Sequence, residues 1–214
     1  FSPSECEGFI RLANERGFTE ADVRTRNGPQ SMPQIRNNQR VQFSNPKLVS
    51  SLWERLRTQD LPILEGQAPA GLPRDVRFYA YTPGQRFKMH KDGPWVEDGR
   101  TSRLTLLVYL NDDFEGGATD FRTFQVQPRT GDAVVFVHAT WHEGQTVARG
   151  TKYVLRSDVL YDRARLFQIR VADGLERRFS VQTLVDQTFS GLGGQQYAGS
   201  YSPRKKGVHG VGCG

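Results

Sequence analysis

Residues 76–90 read VRFYAYTPGQRFKMH. Val76, Phe78 and Ala80 alternate with Arg77, Tyr79 and Tyr81, and a period of two marks an extended strand whose two faces meet different surroundings. Thr82-Pro83-Gly84-Gln85 supplies turn residues, after which Phe87–His90 resumes the extended run. The same rhythm continues downstream in RLTLLVYL (103–110), ATDFRTFQVQ (118–127), DAVVFVH (132–138) and KYVLRSDVLY (152–161). EDGRTS, NDDFEGG, QPRTG and VARG separate these runs, each rich in the residues that turns require. Six or more short strands with no helix between them predict an antiparallel barrel or sandwich, not alternating strand–helix units.

Two helices are expected in front of these strands, packed on the outside. In FSPSECEGFIRLANERGF (1–18), Ser2 can cap, Pro3 suits the first helical position and Glu5 completes a capping box. Cys6, Phe9, Ile10 and Ala13 then recur at helical spacing until Gly17. A second helix is expected from Pro46 to about Thr58, with Leu48, Val49, Leu52 and Leu56 on one face. RTRNGPQSMPQIRNNQRVQF (24–43) lies between them and reads as a loop, either a plain surface connection or a cover over an opening.

Behind the strands the character changes. LFQIRVADGLERRFSV (166–181) alternates, with Phe167, Ile169 and Val171 facing one way, and Asp173-Gly174 offers a two-residue hairpin turn. An isolated hairpin is marginal in water, so this one is expected to pack on something. From Ser190 the chain is rich in Gly and Ser and poor in aliphatics, as in a flexible tail. The expected division is therefore a body over 1–163, a hairpin extension over 164–189 and a basic tail over 190–214.

A chain of 214 residues can bury one substantial core. No apolar run approaches a membrane span. The net charge of +6 suggests a nucleic-acid partner until it is divided along the chain. Residues 164–214 hold seven of the basic and three of the acidic residues, so the body is nearly balanced and a nucleic-acid partner is not expected. Cys6 and Cys213 stand at opposite ends with no Cys-x-x-Cys, which suits a reducing, cytoplasmic setting. Because the chain opens on Phe1 and not on Met, a targeting segment upstream is left open.

Chemistry enters with His90-x-Asp92 in MHKDGPW (89–95). Alternate residues of an extended chain project to one side, so an imidazole and a carboxylate there could bind one metal. A third ligand from a distant strand would complete a facial 2-His-1-carboxylate set, the arrangement suited to non-haem Fe(II). His142 and His138 compete for that place, and His138, ending AVVFVH, fits a packed, hydrogen-bonded strand histidine better. Lys152, ten residues after His142, could pair with the far carboxylate of a dicarboxylic cosubstrate. Arg156 shares its strand parity and would face the same cavity, where its anion could be the cosubstrate, the substrate or Asp158. Trp95 and Trp141 could line the mouth or serve packing.

His90-x-Asp92, YLNDDFEGGATDF (109–121), PRTGDAVVF (128–136) and His142-x-Gly with Lys152 ten residues on together resemble the prolyl 4-hydroxylase-like branch of the Fe(II)/2-oxoglutarate dioxygenases. The resemblance covers roughly residues 1–163 and implies a double-stranded β-helix (jelly-roll) core. It implies iron on His90, Asp92 and His142, 2-oxoglutarate held at its distal carboxylate by Lys152, O2 as the other cosubstrate, and ascorbate as an accessory reductant. Tyr81 matches a family tyrosine facing the cosubstrate or the substrate side of the iron, and Tyr109 one that can add a hydroxyl to the distal carboxylate pocket. Core packing is an equal alternative for both. The implied reaction couples oxidative decarboxylation of 2-oxoglutarate to C–H hydroxylation, since Asp92 fills the position that related halogenases leave for a halide. The substrate implied is a prolyl residue of a peptide or protein; a free amino acid or small metabolite is the alternative, and a non-catalytic binding barrel the competing class.

Overall fold

The structure is a computed structural model. It describes residues 1–25 and 28–163, and the backbone of two further strands, Leu166–Arg170 and Glu176–Ser180. Helix α1 (Pro3–Arg16) starts as its sequence demands: the Ser2 side chain accepts from the Glu5 amide, and the Glu5 carboxylate accepts from the Ser2 amide. Helix α2 (Pro46–Leu56) is capped by the Asn45 side chain, which accepts from the Leu48 amide. Among the described residues no helix is long and apolar enough to cross a membrane.

Eight strands position the site: β1 (Gln39–Ser44), β2 (Asp75–Tyr81), β3 (Phe87–His90), β4 (Arg100–Tyr109), β5 (Thr119–Asp120), β6 (Ala133–Val137), β7 (His142–Gly144) and β8 (Lys152–Arg163). A large antiparallel sheet runs β1-β2-β8-β4-β6, with short strands added at its edges. A smaller sheet runs β5-β7-β3, with Gln125–Val126 beyond β5. Together they form the double-stranded β-helix that the resemblance implied, one form of the antiparallel barrel or sandwich expected from the strand count.

Alternation assigns the two faces of the large sheet. Val76 and Phe78 of β2, Leu104, Leu106 and Val108 of β4, and Leu155 and Val159 of β8 form one buried cluster with Cys6, Ala13, Leu48, Leu52 and Leu56 from the helices. The opposite parity gathers Tyr79, Tyr81, Tyr109 and Val154 into a second cluster with Val147, against which Phe87 packs. The first face consists of side chains that only burial satisfies. The second carries phenols and charges, and it becomes the wall of a cavity.

Three local expectations change. Gln39–Ser44, read as part of a loop, is a strand paired along β2, with Val41 opposite Phe78; its hydrogen-bond partner lies far away in sequence, so local polarity misled. The 118–127 run is not one strand but a tight hairpin in which Thr119 faces Val126. The Asp120 side chain accepts from the Arg122 amide and stabilises that turn, with Arg122 at φ 68°. The second helix closes at Leu56, before Thr58.

The chain divides into two compact units, Phe1–Ala164 and Arg165–Gly214. In the second, Leu166–Arg170 pairs antiparallel with Glu176–Ser180, Arg170 opposite Glu176. The Asp173-Gly174 turn, the facing of Phe167, Ile169 and Val171, and the tail over 190–214 lie outside the described residues.

Candidate metal centre

Antiparallel pairing of β3 with β7 sets His90 directly opposite His142. Their rings lie 4.2 Å apart, centre to centre. Asp92 follows β3, and its amide donates to the His138 carbonyl at 3.0 Å. Its carboxylate reaches both imidazoles, with Oδ1 3.6 Å from His90 Nε2 and Oδ2 3.6 Å from His142 Nε2. One ligand atom from each of the three residues fits within a span of 4.8 Å.

The other ring nitrogens decide the tautomers. His90 Nδ1 lies 2.7 Å from the Lys88 carbonyl and His142 Nδ1 3.0 Å from that of Thr140. A carbonyl only accepts, so each Nδ1 carries a proton, and each Nε2 is the ring nitrogen turned toward Asp92, the atom that a metal would take. Burial, then the neighbouring His90, hold the His142 imidazole down to about 4, neutral at physiological pH. Burial opposes charge on Asp92, but Arg156 and the two imidazoles outweigh it and keep the carboxylate ionised. Two imidazole Nε2 atoms and one ionised carboxylate converging in this way make a donor set that fits a divalent cation such as Fe(II).

His138 lies near the centre but differs from His142 in having both nitrogens occupied. Its Nδ1 is 2.8 Å from the Thr105 hydroxyl and its Nε2 2.7 Å from that of Ser102. The Thr105 hydroxyl has one proton and donates it to Asp92 Oδ2 at 2.6 Å, so it accepts from His138 Nδ1–H; Ser102 then donates to Nε2. His138 thus orients Asp92 through Thr105, and no lone pair is left for a metal.

Arg156 Nη2 forms an ion pair with Asp92 Oδ1 at 2.9 Å, and the same nitrogen donates to Asp158 Oδ1 at 3.5 Å. Arg156 therefore does face the cavity shared with Lys152, as strand parity implied, but it is bonded to the candidate metal ligand. Thr105 was not singled out from sequence, because nothing local marks a strand threonine as the partner of a distant carboxylate.

Lys152 is 3% exposed. Its ammonium donates to the Gly117 carbonyl at 2.6 Å and lies 5.7 and 5.3 Å from the ring centres of Tyr81 and Tyr109. Gly117 takes φ 65° and is crowded by Phe114, Val147 and the Lys152 stem, so glycine there permits both the turn and the close approach. Burial pushes the Tyr81 and Tyr109 phenols up to about 12, keeping them protonated donors. The Tyr109 hydroxyl donates to Thr119 at 2.8 Å. The triad, these tyrosines, Lys152 and Arg156 line one cavity. Trp95 donates from its ring nitrogen to Glu97, and Trp141, 40% exposed, sits beside His142 under Lys91 and Arg122.

Desolvation pulls Lys152 from 10.5 down to about 7, which gives the cavity a testable proton linkage. A charged Lys152 costs folding stability at all pH values below 7, and that cost is relieved as pH rises from about 7 to 10.5. A carboxylate arriving beside it restores the charged form. Binding of a dicarboxylate at pH 8 is therefore expected to take up a fraction of a proton approaching about one, and affinity to fall as pH rises further. Calorimetry in two buffers of different ionisation enthalpy measures this; no proton uptake would remove Lys152 from the role.

The sequence profile of the 2OG-Fe(II) oxygenase superfamily matches residues 76–157, the span that carries the triad and Lys152. A candidate prolyl 4-hydroxylase of Acanthamoeba polyphaga mimivirus is 27% identical over 175 residues, covering 72% of this chain and 68% of its own. The crystal structure of a viral collagen prolyl hydroxylase from Paramecium bursaria Chlorella virus-1, a 2OG complex, superposes with TM-score 0.53 at 24% identity, over 75% of this chain and 91% of that one. A Pseudomonas putida prolyl-4-hydroxylase superposes with TM-score 0.58 at 18% identity, over 75% and 88%. Both solved structures share the fold described above.

Proposed function

We propose, for a chain that belongs to the 2OG-Fe(II) oxygenase superfamily and to its prolyl 4-hydroxylase-like branch, that His90, Asp92 and His142 hold the Fe(II) and Lys152 the far carboxylate of 2-oxoglutarate. The enzyme is a non-haem iron dioxygenase that couples oxidative decarboxylation of 2-oxoglutarate to hydroxylation of a substrate C–H bond. Its cofactors are Fe(II), 2-oxoglutarate and O2, with ascorbate as the family's accessory reductant. The observation that carries the site assignment is the convergence of both Nε2 atoms on the Asp92 carboxylate while both Nδ1 atoms face backbone carbonyls.

Bound iron supplies the O2 and one-electron chemistry that no side chain can perform. The protein's own groups do the rest. Arg156 and Thr105 hold the two Asp92 oxygens, so the carboxylate is fixed before any metal arrives. Lys152 orients the cosubstrate by its distal end, and Tyr109, fixed through Thr119, borders the same pocket. Tyr81 offers a protonated phenol on the cavity wall. The aromatic lining excludes water from a reactive centre.

The relatives' names favour a prolyl ring in a peptide or protein as substrate. A small carboxylic acid is the second reading, favoured by the buried guanidiniums of Arg36 and Arg156, each with a donor that has no hydrogen-bond partner among the described residues. Purified chain with Fe(II) and 2-oxoglutarate is expected to release succinate, and mass spectrometry of candidate peptides and metabolites to find one heavier by a single oxygen atom. A chain that binds neither iron nor 2-oxoglutarate would sink the assignment in favour of a binding barrel.

A further inference from the structure

The cavity carries more positive charge than its own carboxylates match. Lys152 and Arg156 line it against the single carboxylate of Asp92, and Arg36 and Arg77 stand close to its Tyr79 wall. Arg77 is bonded to Asp158, and Arg156 to Asp92 at 2.9 Å. Arg36 is paired with no carboxylate among the described residues. A ferrous ion and a dianionic cosubstrate cancel one another, so the surplus remains when both are bound.

Two donors make this surplus specific. Arg36 is 6% exposed and Arg156 8%, yet Arg36 Nη2 and Arg156 Nε are buried without a hydrogen-bond partner. Native interiors rarely leave such groups unmet, because each forfeits its hydration. Both guanidiniums converge on Tyr79, a cavity-lining residue. Arg36 lies over its ring at 4.5 Å, and also over Phe87 at 4.5 Å, whose ring stacks on His90. Burial alone would raise the Tyr79 phenol, but Arg156, Arg36 and Arg77 outweigh it and bring it down to about 7, a field suited to an anion. Arg36 reaches this point because its loop is laid along β3: Lys88 donates to the Ile35 carbonyl, and Arg36 bridges to Phe87.

Position separates this cluster from the cosubstrate's. Lys152 and Arg156 are two inward positions apart on β8, roughly 13 Å along the strand. Arg156 touches a candidate metal ligand directly, so an anion on its free Nε would lie within a few bond lengths of the reacting centre.

We propose that Arg36 and Arg156, with the Tyr79 hydroxyl between them, form a second anion subsite that anchors a carboxylate carried by the substrate only a few bonds from the carbon being oxidised. The substrate class is then a small carboxylic acid of amino-acid size, its own carboxylate gripped by the planar donors of arginine, and not an internal residue of a long peptide. The proposal rests on the reading of this cavity as the place of substrate oxidation.

The test uses the full chain with Fe(II) and 2-oxoglutarate under nitrogen, titrated calorimetrically with amino acids and their amides, L-proline and L-prolinamide first. The members of each pair differ in the carboxylate alone. For at least one pair the acid is expected to bind about tenfold or more tighter than the amide, the range for a hydrogen bond to a charged group. Arg36→Gln and Tyr79→Phe are expected to narrow that ratio while 2-oxoglutarate still binds; a ratio read within each variant is insensitive to the fraction that folds. Equal binding of acid and amide, a ratio unchanged in Arg36→Gln, or no acid binding to a chain that holds iron and 2-oxoglutarate would overturn the subsite. Tighter binding of a blocked prolyl peptide than of any free acid would overturn it in favour of a peptide. Failure of the unmodified chain to hold iron or 2-oxoglutarate would overturn the underlying reading, and this one with it.

Discussion

His142→Ala and Asp92→Ala are each expected to lose stoichiometric Fe(II) binding, whereas His138→Ala keeps it. The three residues lie within one small region, so the contrast tests geometry and not mere proximity. His142 and Asp92 each contribute an atom that nothing else among the described residues can replace, since the remaining polar groups near them are already committed. Removing one ligand of three leaves a site too poor for a divalent metal at micromolar concentrations. His138 acts one step removed, through Thr105. Its loss removes one of the partners of each of the buried Ser102 and Thr105 hydroxyls, for which a stability decrease of about 1–3 kcal/mol is expected. Metal affinity is expected to weaken by no more than the roughly 10–100-fold seen for groups that orient ligands. Metal content by elemental analysis, with urea denaturation of the same samples, reads both quantities. Full iron content in His142→Ala, or none in His138→Ala, reverses the assignment.

Lys152→Ala is expected to bind iron normally and 2-oxoglutarate far more weakly. Among the described residues its ammonium has no carboxylate partner, only the Gly117 carbonyl, so the distal carboxylate of the cosubstrate would be its natural counter-ion. Truncating one member of a buried charge pair costs about 2–5 kcal/mol, or about thirtyfold to several thousandfold in Kd. Lys152→Arg is a second arm: it keeps the charge, but its larger fork must fit where Gly117, Phe114 and Val147 already crowd. Calorimetric Kd values for 2-oxoglutarate with a redox-inert divalent metal separate binding from turnover. Normal cosubstrate affinity in Lys152→Ala would transfer the role to Arg156, the other inward cation on β8.

What these variants probe was unevenly legible in the sequence. Alternation is a local property, set by the pleat of the extended chain. Lys152 and Arg156 could therefore be placed on one face of β8, Tyr79 and Tyr81 on one face of β2, and the capping box of α1 at Ser2 and Glu5, with no coordinates. The His90-x-Asp92 spacing and His142 with Lys152 ten residues on carried the resemblance, and with it the jelly roll and the reaction.

The tertiary structure alone decided which faces meet and which atoms they leave free. The preference for His142 over His138 was already drawn from the sequence, but the ring-nitrogen partners that support it were not: Ser102 and Thr105 lie on β4, paired with β6, whereas His142 sits on β7 opposite His90. The strand at Gln39–Ser44, the hold of Arg156 and Thr105 on Asp92, and the delivery of Arg36 to Tyr79 were likewise invisible beforehand. Each depends on the register between segments distant in sequence, and register is the outcome of many weak contacts summed over the whole sheet. Periodicity determines where a side chain points; only the closed fold determines what it points at.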